Sequence, residues 1–207
     1  MFLLPPAPAW ADSFEVVVEN TSGQPVEFAV VIATPVGGTQ PAPPRNPTVI
    51  DQVDKEYIPY VTAVQVGTSV SFPNHDPLRH HVYSFSEAKT FEIPLYKGTP
   101  RDPILFDKSG PVTLGCNIHD WMSAHVFVSE SPHFAVTAAD GRATLEEVPA
   151  GDYEITVWHP RLKEESEQTR QRISLAGALG SPLGFTIEEK RVWRPRRAPA
   201  RGAALYR

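Results

Sequence analysis

The sequence predicts an all-β protein built from a small Greek-key barrel and a second small sandwich, on three observations. Twenty-two prolines and thirteen glycines among 207 residues break the chain too often for long helices. The apolar runs between them are short, several alternate with polar residues, and most are bounded by turn formers. An apolar share of 41% with 21% charged residues is enough to fill a sizeable core.

The elements follow in order. Residues 14–18 and 26–32 flank Asn20-Thr-Ser-Gly-Gln-Pro25, which reads as a hairpin. A proline-rich stretch from Pro35 to Pro47 reads as a linker. Strand signals are dense from Thr48 to Glu130: Tyr60–Val66, Ser69–Phe72, His81–Phe85, Phe91–Leu95, Pro111–Leu114 and His125–Val128. The rhythm then changes to Phe134–Thr137, the turn dipeptide Asp140-Gly141, Ala143–Leu145 and Tyr153–Trp158, and Asp-Gly between two such runs predicts a hairpin. The charged stretch from Arg161 to Arg172 reads as a solvated loop or short helix, and strands are expected at 171–175 and 183–187.

Charge narrows the function classes. Residues 190–207 hold seven Lys and Arg and no acid, leaving 12 basic against 24 acidic residues in the rest of the chain. An acidic body does not wrap nucleic acid, and the arginines of 191–207 sit among Pro, Ala and Gly in a composition that reads as a basic disordered tail. No stretch approaches the roughly 18 consecutive apolar residues of a spanning helix, so the chain is expected not to be transmembrane. Ala9-Trp10-Ala11 before Asp12 has the small-x-small form of a signal cleavage site, although a positive n-region is missing and the apolar run is short. Residues 1–12 are therefore expected to be an export segment or ragged end, and the protein periplasmic or otherwise exported.

Cys116 is the only cysteine, which excludes an internal disulfide and directs attention to its neighbours. In Cys116-Asn-Ile-His119-Asp-Trp-Met122, thiol, imidazole and thioether recur every third residue, a spacing that a tight turn gathers on one side. Soft sulfur ligands with imidazole select copper, and two His, one Cys and a weak axial Met form the type 1 pattern. The second histidine must come from another strand. His80 and His81 are the candidates, and if Val82 faces the core, alternation places His80 beside it and His81 opposite. The expected metal ligands are thus His80, Cys116, His119 and Met122.

These residues carry a resemblance. Val64-Gln-Val-Gly-Thr-Ser-Val-Ser-Phe-Pro-Asn74, His80-His-Val82 and the Cys116–Met122 loop resemble the cupredoxins, the family of plastocyanin, pseudoazurin and amicyanin, and the contracted loop is most similar to that of amicyanin. The resemblance implies a copper barrel and one-electron transfer. His81 stands where those proteins usually place an Asn that ties the two ligand loops, and Leu114 where an aromatic often precedes the cysteine. The wider motif set is also similar to chains labelled methylamine utilization proteins. Thr137 to Val157 resembles the carboxypeptidase regulatory-like sandwich, whose usual opening hairpin is matched by Gly23-Gln-Pro-Val26.

The domain expectation is a cupredoxin-like unit over 46–131 inserted into a sandwich made from 13–36 and 132–190. The functional expectation is a one-electron carrier, not an enzyme, docking transiently with redox protein partners. The alternatives are a non-redox copper(I) carrier or sensor, and a cell-surface or glycan-binding module.

Overall fold

The computed structural model describes residues 13–37, 47–100, 102–163, 169–176 and 179–190. The expected export segment, most of the proline-rich linker and the basic tail lie outside them. Among the described residues all seventeen elements are strands, an all-β architecture.

One core joins the two ends of the chain. β1 (Phe14–Asn20) runs antiparallel to β14 (Arg142–Leu145) and parallel to β17 (Leu183–Ile187). Facing it, β2 (Val30–Pro35) lies between β13 (Phe134–Val136) and β15 (Gly151–Trp158), with β16 (Arg170–Leu175) on the far edge of β15. Phe14, Val16 and Val18 alternate inward and meet Leu145, Ile155, Phe185 and Ile187. Thr137 ties the layers: its hydroxyl donates to the Val26 carbonyl at 2.7 Å and accepts from the Ala29 N–H at 2.8 Å. Thr137→Val strands both buried backbone groups and is expected to cost roughly 1–3 kcal/mol, read as a lower urea midpoint.

Both expected hairpins are instead crossings between facing sheets. Only Val18 and Asn20 keep local bonds across the first turn, to Val26 and Gln24, after which the chain crosses and its strand begins at Val30. β1 already has β14 and β17 on its two edges, so no edge is left for a hairpin partner. At Asp140-Gly141 the chain likewise passes from β13, paired with β2, to β14, paired with β1. Gly141 is required there: φ is +75° and a Cβ would stand 2.6 Å from the Val18 carbonyl oxygen.

The second core is drawn from residues 50–128. Its larger sheet has the order β6 (Val61–Gln65), β12 (Ser123–Ser129), β11 (Gly110–Gly115), β8 (His80–Ser86), β9 (Lys89–Tyr96). Opposite lie β3 (Thr48–Val49), β7 (Thr68–Ser71) and β10 (Ile104–Phe106), and a hairpin of β4 (Asp51–Val53) and β5 (Glu56–Ile58) closes one end. Phe72, Phe106, Leu114 and Met122 are fully buried between them. In β9 an extra residue near Pro94 shifts the register opposite His80 and Val82, a bulge where proline could not have donated a ladder bond.

The two sandwiches meet through Val30, Ile32 and Val61, with Phe28, Tyr60, Phe127 and Trp158 packed around them. His125 lies in this contact, its Nε2 3.1 Å from the Tyr60 hydroxyl, and burial together with nearby His159 pushes its pKa down from 6.5 to about 4. Above pH 6.5 neither folded nor unfolded chain protonates this ring. Between 6.5 and 4 only the unfolded chain binds the proton, so stability is lost as pH falls through that window, by roughly 1–3 kcal/mol. Denaturant midpoints measured from pH 7 to 4 should fall less steeply in His125→Gln than in the parent.

Candidate metal centre

Strand β11 delivers Cys116 to the end of the larger sheet, and β12 resumes at Ser123. The intervening loop is a tight turn closed by the Met122 N–H donating to the His119 carbonyl at 2.9 Å. On the neighbouring strand β8, His80 faces the same end. One side-chain ligand atom from each of His80, Cys116 and His119 lies within 4.8 Å of the others. The Cys116 Sγ and His80 Nδ1 are 4.0 Å apart, and the two imidazole rings are 5.0 Å apart. His80 and Cys116 are buried and His119 is half-buried. The Met122 side chain is buried in the core beneath, in one apolar cluster with Cys116 and Leu114.

His81 is not part of the cluster. Its Nε2 pairs with Glu92 Oε1 at 2.8 Å, as expected for a side chain on the opposite face of the strand. His75 is exposed and pairs with Asp51; His125 and His159 serve packing and polar contacts elsewhere.

Hydrogen bonding decides which nitrogens are available. His80 Nε2 is 2.6 Å from Asp76 Oδ2. With its N–H directed at that carboxylate, the ring is the tautomer whose bare Nδ1 faces Cys116, the arrangement found behind metal-ligating histidines. Burial opposes ionisation of Asp76, but the bonds from His80 and from the Lys55 and Asp54 amides outweigh it and hold the carboxyl below its ordinary value. At His119, burial above all, and then nearby Lys55, push the pKa down, favouring the neutral imidazole that a metal needs. Among the described residues His119 Nδ1 is buried without a hydrogen-bond partner. Such an atom costs about 1–3 kcal/mol if nothing satisfies it, and beside a thiol and a second imidazole it fits a metal ligand. Thiol, two imidazoles and a neighbouring thioether form a donor set suited to copper.

Two further residues contribute to the site. Asp76, four residues before His80, had a signal in its spacing, because a carboxylate in the turn entering a ligand strand can reach back to the ring. Tyr57 had none: its hydroxyl meets carbonyls 24 and 58 residues away.

No family model matches the chain, and no curated protein matches it. Solved structures do, over part of its length. A copper-containing nitrite reductase from Thermus scotoductus is 27% identical with a TM-score of 0.39, over 47% of this chain and 25% of the other. A purple cupredoxin from Nitrosopumilus maritimus is 25% identical with a TM-score of 0.34, over 39% of this chain and 96% of the other. A reduced amicyanin variant is 21% identical with a TM-score of 0.37, over 47% and 98%. The chain thus spans about a quarter of the length of the nitrite reductase it matches. Scores this low carry no inference about chemistry, which rests on the side chains themselves.

Proposed function

We propose that His80, Cys116 and His119, with Met122 as a weaker fourth ligand, would hold one type 1 copper, and that the protein is a one-electron carrier between redox protein partners. The observation that supports this most is the convergence of one thiol and two imidazoles, His80 from β8 and Cys116 and His119 from the loop between β11 and β12, at a largely buried place. Bound there, copper supplies a one-electron couple. The protein's part is to keep the ligands in one arrangement for both oxidation states: β8 and β11 are rigid strands, Asp76 holds the His80 ring, and apolar burial of Cys116 and Met122 keeps water off the sulfurs.

His119 is the half-buried member of the set and gives the metal its route to the surface. Around it Ile118 is 48% exposed, and the Trp121 ring packs 5.1 Å from the imidazole. An apolar surface beside the exposed ligand suits the small, transient contacts of electron carriers, and the acidic body steers a basic partner towards it.

The domain arrangement is proposed with it: a copper unit over 46–131 inserted into a sandwich formed by 13–36 and 132–190, in line with cores drawn from residues 14–33 with 143–187 and from 50–128. Among the described residues no helix is long and apolar enough to cross a membrane. Export, with a periplasmic setting, is proposed from the Ala9-Trp10-Ala11 motif alone. The likeness to chains labelled methylamine utilization proteins contributes copper and fold to this proposal and no amine substrate.

Voltammetry of the copper-loaded protein tests the carrier role. A reversible one-electron wave with fast self-exchange is expected. Tight Cu(I) binding without a reversible wave would point instead to a copper(I) carrier or sensor.

A further inference from the structure

The ladder between β8 and β11, the two strands that present His80 and Cys116, comprises a single registered pair among the described residues, Gly115 with Tyr83. The strands are close at that point, where a Cβ on Gly115 would fall 2.7 Å from the Tyr83 ring. No further registered pair joins them on the side of the metal cluster among the described residues, so something other than the ladder must fix their spacing there. The side chain of His81 does not, because it turns away to Glu92.

Tyr57 of β5 occupies the gap. It is 3% exposed, and its hydroxyl lies 3.0 Å from the carbonyl of His81 and 3.0 Å from the carbonyl of Gly115. Those carbonyls belong to the residue after His80 and the residue before Cys116. One phenolic proton, shared between them, therefore bridges the two ligand strands at the metal. Burial pushes the Tyr57 pKa up, so the hydroxyl stays protonated and able to donate.

The turn of the same hairpin holds the other side of the site. Asp54 and Lys55 have φ of 55° and 63°, left-handed values required at both central residues of a tight two-residue turn. Their amides donate to the two carboxylate oxygens of Asp76 at 2.6 and 2.8 Å, and Asp76 in turn binds His80 Nε2. The hairpin is anchored in place by fully buried Gln52, whose amide side chain donates to the Phe72 and Pro73 carbonyls while its backbone N–H bonds Pro73.

We propose that the β4–β5 hairpin is a clamp that sets the ligand geometry, with Tyr57 fixing the distance between the His80 and Cys116 strands and Asp76, held by the Asp54–Lys55 turn, fixing the His80 ring. The proposal rests on the copper assignment above. Tyr57 and Asp76 act through the ligands and are positioning residues.

The test compares Tyr57→Phe and Asp76→Ala with the parent protein, using Thr137→Val as a control that loses a buried hydroxyl far from the site. In the metal-free proteins, nitrogen NMR of His80 should show the Nε2–H tautomer in the parent and in Tyr57→Phe, and a mixture in Asp76→Ala. With copper, both clamp variants should lose 10- to 100-fold in Cu(II) affinity. They should also shift the thiolate absorption and paramagnetic resonance parameters, while Thr137→Val lowers the unfolding midpoint and leaves the spectrum unchanged. Unchanged affinity, spectrum and His80 tautomer in the clamp variants would overturn the clamp. Failure of the parent itself to take up Cu(II) at Cys116 would overturn the copper assignment, and the tautomer measurement would still report on Asp76.

Discussion

Cys116→Ser is expected to abolish the visible absorption of the copper-loaded protein and to lower Cu(II) affinity by more than about 100-fold, with the fold intact. Serine nearly matches cysteine in shape, so the 4%-exposed position should accept it at a modest cost in stability. What it cannot replace is the soft, polarisable thiolate, the source of the charge-transfer absorption and of the preference for copper. His80 and His119 would remain, giving at most a weak, pale Cu(II) site. Far-ultraviolet circular dichroism, a urea titration and a copper titration followed by visible absorption check the three parts of this expectation. An intense band that survives in Cys116→Ser would remove the thiol from the ligand set.

The second large effect is on stability. Leu114 is fully buried on β11 and shares its core with Cys116, which lies just past the strand's end. Leu114→Ala removes apolar contact and leaves a cavity, at a cost of roughly 2–5 kcal/mol. It shares its core cluster with Met122 and Cys116, so a cavity there weakens the packing that supports the loop. Denaturant unfolding should show the loss as a lower midpoint at unchanged slope. The paramagnetic resonance spectrum of the copper-loaded variant should broaden, because a loosened support lets the sulfur ligands occupy more than one position.

Local patterns were the legible part of the sequence. Breaker density and short apolar runs were enough to predict an all-β chain, since β alternation and turn chemistry depend on neighbouring residues. The meeting of three side chains was legible for the same reason: Cys116 and His119 share one turn, and the choice of His80 over His81 followed from the two-residue period of a strand facing Val82. Pairing was not legible. Residues 14–18 and 26–32, and the runs around Asp140-Gly141, have the local text of hairpins, yet each pair parts into facing sheets because β1 and β2 find their neighbours more than a hundred residues away. Tyr57 is the same case at the site, a lone aromatic whose purpose depends on two carbonyls brought to it only by the finished fold.

The most direct measurement is a titration of the metal-free protein with Cu(II), followed by visible absorption and paramagnetic resonance. One equivalent should produce an intense thiolate-to-copper band and a small parallel copper hyperfine splitting, as a trigonal site of His80, Cys116 and His119 requires. A colourless product, or the weak absorption and wide splitting of ordinary tetragonal Cu(II), would contradict it.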